Sequence, residues 1–86
     1  MTLILTNRFK RAYQKLPKEV QEKVKKTLKY LDADPRHPAL RVHPIRGTKG
    51  IFEARVDRKY RLSFEFSSDT LILRNVDNHD DCLKSP

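Results

Sequence analysis

The stretch Ile51–Leu83, IFEARVDRKYRLSFEFSSDTLILRNVDNHDDCL, decides the fold. It reads as strands, because apolar residues alternate with polar ones and strand side chains alternate between faces with period two. Phe52, Ala54 and Val56 form one apolar set, so Glu53, Arg55 and Asp57 point the other way. Tyr60, Leu62, Phe64 and Phe66 form the next, so Arg61, Ser63 and Glu65 point away from it. If both apolar sets face one core, Arg55 and Arg61 share the opposite face. A third run, Thr70–Val76, leads into Asn78-His79-Asp80-Asp81, with Ser67-Ser68-Asp69 as the preceding turn. A titratable histidine at a strand exit, beside fixed positive charge, suits chemistry on a phosphodiester.

Upstream the period changes. Thr2–Leu5 is a short β-like run, and Thr6 or Asn7 can cap a helix beginning near Arg8. Phe9, Ala12, Tyr13 and Leu16 form one helical stripe, and Val20, Val24, Leu28 and Leu31 form another beyond Pro17. Asp34-Pro35 ends the second helix, since a residue before proline disfavours the α region. Arg36–Gly50 is a loop that Leu40 and Ile45 can anchor. The expected fold is α+β in the order β-α-α-β-β-β: an antiparallel sheet with an αα-hairpin on one face and the other face open to solvent.

Eighty-six residues make one expected domain, 1–86, with no room for a separate cofactor domain. The longest apolar run, Leu3-Ile4-Leu5, is far short of a membrane span, and no signal-peptide core follows the first residues. A single cysteine, Cys82, rules out an internal disulfide and fits a reducing compartment, so the expected location is the cytoplasm. No membrane partner is expected.

The formal net charge is +8, and it is unevenly placed. Residues 1–30 hold nine Lys/Arg against two acids, residues 35–61 eight against two, and residues 62–86 two against five. Such an excess favours nucleic acid or an acidic protein partner. The basic charge of residues 10–30, taken alone, also fits a solvated helix. Arg41, Arg46, Arg55, Arg58 and Arg61 crowd into one segment, and arginine supplies a planar fork suited to phosphate. A rival reading pairs Arg55 and Arg61 with Glu53, Asp57 or Glu65 as a salt-bridged sheet face. His37 reads as a brace of the DPRHP turn. The three histidines lack ligand spacing, so neither metal nor cofactor is expected.

The segments FKRAYQKLPKEVQEKV, DPRHPALRVHPIRG, EARVDRKYRLSFEF and NVDNHDDCL, in this order and spacing, resemble the RelE/ParE toxin superfamily of toxin–antitoxin systems. The resemblance implies a small α+β domain, a cognate antitoxin, and an endoribonuclease that cuts mRNA on the ribosome and halts translation. Operator DNA would be met only through the antitoxin complex. At the site the chain resembles the YafQ-like branch. His43-Pro44-Ile45-Arg46-Gly47 matches its histidine loop, His79 stands at its C-terminal histidine, and Arg55 replaces its strand histidine. Tyr60-Arg61-Leu62 matches the arginine segment of RelE-type members, but Phe52 and Ala54 stand where those members carry lysines.

RNA cleavage with the 2′-OH as internal nucleophile needs a base, an acid and cations around the phosphorane. The resemblance implies His43 and His79 as the proton-transfer pair and Arg55 and Arg61 as phosphate ligands. Asp80 would orient His79, and Arg41, Arg46, Arg58 and Lys59 would hold flanking RNA. Two other functions fit the fold: a ParE-like inhibitor of DNA gyrase, and an inactive regulator that binds antitoxin and operator.

Overall fold

A computed structural model describes residues 2–86. Strand β1 (Thr2–Leu5) is followed by helices α1 (Asn7–Gln14) and α2 (Lys18–Ala33) and a short 3-10 turn, Pro38–Leu40. Strands β2 (His43–Pro44), β3 (Ile51–Arg55), β4 (Tyr60–Ser67) and β5 (Thr70–Asn78) come next, and helix α3 (His79–Lys84) ends the series. The sheet order is β1-β5-β4-β3-β2. The fold is therefore α+β, as expected, with two changes to the sheet. β1 lies parallel to β5, so the sheet is mixed rather than wholly antiparallel. β2, read from sequence as loop, adds an antiparallel edge, with His43 opposite Glu53.

Local chemistry explains the helices. The Thr6 hydroxyl accepts from Phe9 N at 3.1 Å and caps α1, while it donates to Leu73 O at 2.8 Å and so ties the cap to the sheet. α2 begins directly after Pro17 and ends at Asp34, ahead of Pro35. Phe9, Val20, Val24 and Leu31 bury against Ala54, Leu62, Phe64, Leu71, Leu73 and Val76. Each such side chain contributes about 1.5–3 kcal/mol on leaving water. Leu40 and Ile45 are also buried, so the long loop is anchored at both of its apolar residues.

The opposite sheet face is not open, contrary to the sequence expectation. Helix α3 lies across β4 and β5, and Glu53, Ser63 and Asn75 beneath it are buried. Six residues give almost no periodic signal. The helix exists because the Asn78 side chain accepts from Asp81 N at 3.0 Å and because Cys82 is fully buried. Burial pushes the Cys82 thiol up to about 11, with the Glu53 carboxylate acting in the same direction, so this sulfur is a core group and not a thiolate nucleophile.

A bulge in β5 sets the register. Ser63 pairs with Asn75 but Phe64 pairs with Leu73, which leaves Arg74 as the extra residue. The bulge keeps Leu71, Leu73 and Val76 on the core side and turns Asn75 toward α3, where its amide donates to Ser85 O at 2.9 Å.

Candidate active site

The side chains that meet beneath α3 do so on a carboxylate. Glu53, in the middle of β3, is fully buried, and neither of its oxygens accepts a hydrogen bond. Three groups face its Oε1: His43 Nε2 at 3.5 Å, Arg61 Nε at 3.6 Å and His79 Nδ1 at 3.6 Å. A buried carboxylate without hydrogen bonds is costly unless positive charge or protons stand beside it. His43, Arg61 and His79 come from β2, β4 and the first turn of α3, so the cluster needs three chain segments to close.

Each ligand of the cluster is fixed from behind. His43 Nδ1–H donates to Arg41 O at 2.8 Å, which turns Nε2 toward Glu53. Arg61 is mostly buried; its Nη1 donates to Tyr60 O at 3.0 Å and to Asp57 O. Its Nη2 has no partner among the described residues. The backbone N–H of His79 donates to Lys59 O at 2.7 Å, so the β3–β4 turn positions His79 as well as Arg61.

Asp57 organises that turn. Its Oδ1 accepts from Lys59 N and Tyr60 N, each at 2.8 Å, and its Oδ2 pairs with Lys23 Nζ at 3.2 Å. Partial burial raises the Asp57 pKa, but the two backbone N–H groups and Lys23 outweigh it and hold the carboxyl below the usual range. A depressed folded-state pKa gives stability that is present above the unfolded value and lost as pH falls through the folded one. Asp57→Ala should therefore cost about 1 kcal/mol at neutral pH, and the gap to wild type should close in acid. Urea unfolding at neutral pH and near pH 2, which is below the surveyed Asp range of about 3.5 ± 1.2, measures both. A gap that is unchanged in acid would show that the charge of Asp57 contributes nothing.

The remaining expected site residues are placed differently. Arg55 stands opposite Arg61 in the sheet register but makes no ion pair among the described residues. It lines a cleft toward α2 with Lys23, Tyr30 and Asp57. Asp80 is exposed and makes no hydrogen bond or ion pair with His79 among the described residues; the carboxylate facing that ring is Glu53. Arg41, Arg46, Arg58 and Lys59 are exposed, with side chains free of ion pairs among the described residues. The salt-bridged-face reading holds for Arg61 with Glu53, and Glu65 pairs with Arg74 instead. His37 braces its turn: its Nδ1 accepts from Ala39 N at 3.1 Å and its ring stacks on Tyr30. By type, two histidines and a carboxylate could hold a metal. Arg61 occupies the same oxygen, however, and no metal-holding group of three occurs among the described residues.

Sequence reading missed Glu53 as a site residue. The signal was present, since alternation put Glu53 on the arginine face. What was missing was the helix that buries it.

This architecture has known counterparts. A YoeB/ParE toxin from Agrobacterium tumefaciens superposes with a TM-score of 0.77 over 92% of this chain and 99% of that one, at 19% identity. YafQ from E. coli BL21(DE3) gives 0.77 over 92% and 93%, at 17% identity. The RelB–RelE antitoxin–toxin complex from Methanococcus jannaschii gives 0.77 over 96% and 99%, at 18% identity. The fold is that of the RelE/ParE toxins. No protein-family model and no curated relative matches the sequence. The RelE/ParE-like fold thus survives here on a sequence whose identity to these structures is below one fifth. A fold is held by core pattern and topology, both of which tolerate extensive substitution.

Proposed function

We propose that this chain is the toxin of a type II toxin–antitoxin pair and acts as an endoribonuclease on mRNA at the ribosome, so halting translation. The observation that supports this most is the convergence of His43, Arg61 and His79 on the buried Glu53 carboxylate. A pure inhibitor or regulator needs no such set. The toxin fold and the antitoxin bound to the M. jannaschii relative support a cognate antitoxin partner.

In this reading the 2′-OH of RNA attacks the adjacent phosphorus, the bond to the 5′-oxygen breaks, and the products are a 2′,3′-cyclic phosphate and a 5′-hydroxyl. His79 through its Nε2, and His43 once RNA draws its Nε2 off Glu53, move the two protons, one from the 2′-OH and one to the leaving oxygen. Glu53 orients both rings. The guanidinium of Arg61 carries the charge of the phosphorane, while Arg55 lines the cleft toward α2 and would meet RNA only outside the cluster. Contacts of 3.5–3.6 Å to Glu53 are longer than hydrogen bonds, and catalytic contacts often tighten only when substrate is bound. Arg41, Arg46, Arg58 and Lys59 hold flanking mRNA or ribosomal RNA.

Induced expression tests the proposal. Labelled methionine incorporation should fall before labelled thymidine incorporation, and cut mRNA should accumulate. An early fall in thymidine with gyrase-linked DNA breaks and intact mRNA would overturn it in favour of the gyrase inhibitor.

A further inference from the structure

A second charged surface lies outside the Glu53 cluster. β1 ends at Leu5, opposite Leu73, so the outer edge of β5 beyond that point has no strand neighbour. α1 stands on one side of this free edge and the end of α3 on the other. Between them is a cleft of about 590 Å³ whose walls include Arg8 and Arg11 of α1, Lys15 at its C-cap, and Lys84 of α3. Arg8 is spent on the chain end, donating to Ser85 O and to Pro86 O at 3.0 Å. Arg11, Lys15 and Lys84 are exposed and have no ion pair among the described residues.

Two acids share the cleft, Asp77 and Asp81, and both are engaged by Asn78. Asp77 Oδ1 accepts from Asn78 N at 2.8 Å, and Asp81 Oδ2 accepts from the Asn78 amide at 2.6 Å. A hydrogen bond from neutral Asn78 does not cancel a carboxylate's charge, but the cleft's four cations, Arg8, Arg11, Lys15 and Lys84, outnumber these two acids. Exposed cations with no partner on both walls of one cleft are matched by a ligand that carries repeated negative charge.

The cleft also adjoins the proposed site. Asp77 is the register partner of Arg61, and Tyr60, next to Arg61, lines the cleft. Arg11 and Lys15, the latter the C-cap of α1, are one turn apart and about 6 Å along the axis at 1.5 Å per residue. A positively charged groove is what tracks the backbone of single-stranded nucleic acid.

We propose that the cleft between α1 and α3 is a binding site for the phosphodiester backbone of single-stranded RNA leaving the Glu53 cluster. Arg11, Lys15 and Lys84 contact successive phosphates several nucleotides from the cut. This rests on the RNA-cleavage reading and extends it: bound length, and not the cut itself, depends on α1.

The test uses 2′-O-methyl RNA, which cannot be cleaved, in lengths of about four and about twelve nucleotides. Wild type should bind the long oligonucleotide more tightly. The double variant Arg11→Ala, Lys15→Ala should bind the short one as wild type does. For the long one, its slope of log affinity against log salt should be shallower by about 1.4, from about 0.7 per phosphate contact. The same figure makes its affinity at 0.1 M salt about 25-fold weaker than wild type, relative to 1 M salt. Both side chains are exposed and unpaired, so circular dichroism should show the variant folded.

An unchanged slope and affinity for the long oligonucleotide, with wild type binding normally, would overturn the cleft site alone. If the variant instead loses affinity for poly-glutamate but not for RNA, the cleft takes an acidic protein segment and the proposal is overturned. Wild type binding neither oligonucleotide would remove the RNA reading itself, and this site with it.

Discussion

His79→Ala should cut RNA cleavage by ~10²–10⁴-fold, the range expected when one proton-transfer group is lost. RNA binding should change little, because the permanent charge that holds phosphate is on arginine. Arg61→Ala should behave differently. Arg61 would contact phosphate in both the ground and the transition state, so binding and rate should fall together. His79→Ala should barely move stability, whereas Arg61→Ala should cost about 3 kcal/mol or more, because it leaves the buried Glu53 carboxylate without its permanent cation. The His79 side chain is about half exposed. The two backbone carbonyls that Arg61 leaves behind are partly exposed, so the loss comes from Glu53 and not from them. Single-turnover cleavage on programmed ribosomes, with melting temperatures as a folding control, separates the two variants. Near-wild-type cleavage by folded His79→Ala would take His79 out of the mechanism and leave His43, Glu53 and Arg61 to carry it.

Glu53→Gln should be the more diagnostic variant. Glutamine keeps the shape of the side chain and removes its charge. If Glu53 orients His43 and His79, cleavage should fall by ~10²-fold or more, the lower end of the proton-transfer range. Stability should hold or rise. The carboxylate is the fully buried partner and has no hydrogen bond, whereas Arg61 keeps its backbone acceptors. Replacing a buried charge that lacks full compensation is often neutral or stabilising. A variant that is inactive and as stable as wild type places Glu53 in function. A melting temperature several degrees lower, with activity that returns on cooling, would make Glu53 a structural group and sink the orienting role.

The same residue shows how far the sequence could be read. Alternation along Ile51–Arg55 and Tyr60–Ser67 assigned the two faces correctly, because the pleat fixes side-chain direction wherever pairing is regular. Apolar stripes at Phe9 and at Val20–Leu31 located α1 and α2, and Asp34-Pro35 ended α2, because these signals are local. Leu40 and Ile45 stood out as loop anchors because a long loop keeps large apolar residues only to bury them. The +8 charge and the arginines between 41 and 61 marked an anion-facing surface on composition alone.

Tertiary structure decided the rest. β1 was legible as a strand, but its parallel place beside β5 depends on the path of two helices and three strands between them. The bulge at Arg74 cannot be seen in TLILRNVDN, where strict alternation would send Asn75 to the core and Val76 outward. α3 is too short to announce itself, and its stability comes from one cap and one buried cysteine. Because α3 closes over the second face, Glu53 changes from an ordinary exposed strand glutamate into a buried carboxylate at which His43, Arg61 and His79 meet. Sequence determines which side chains share a face. Only packing determines which of them lose water, and for a charged group the loss of water sets what it must be paired with.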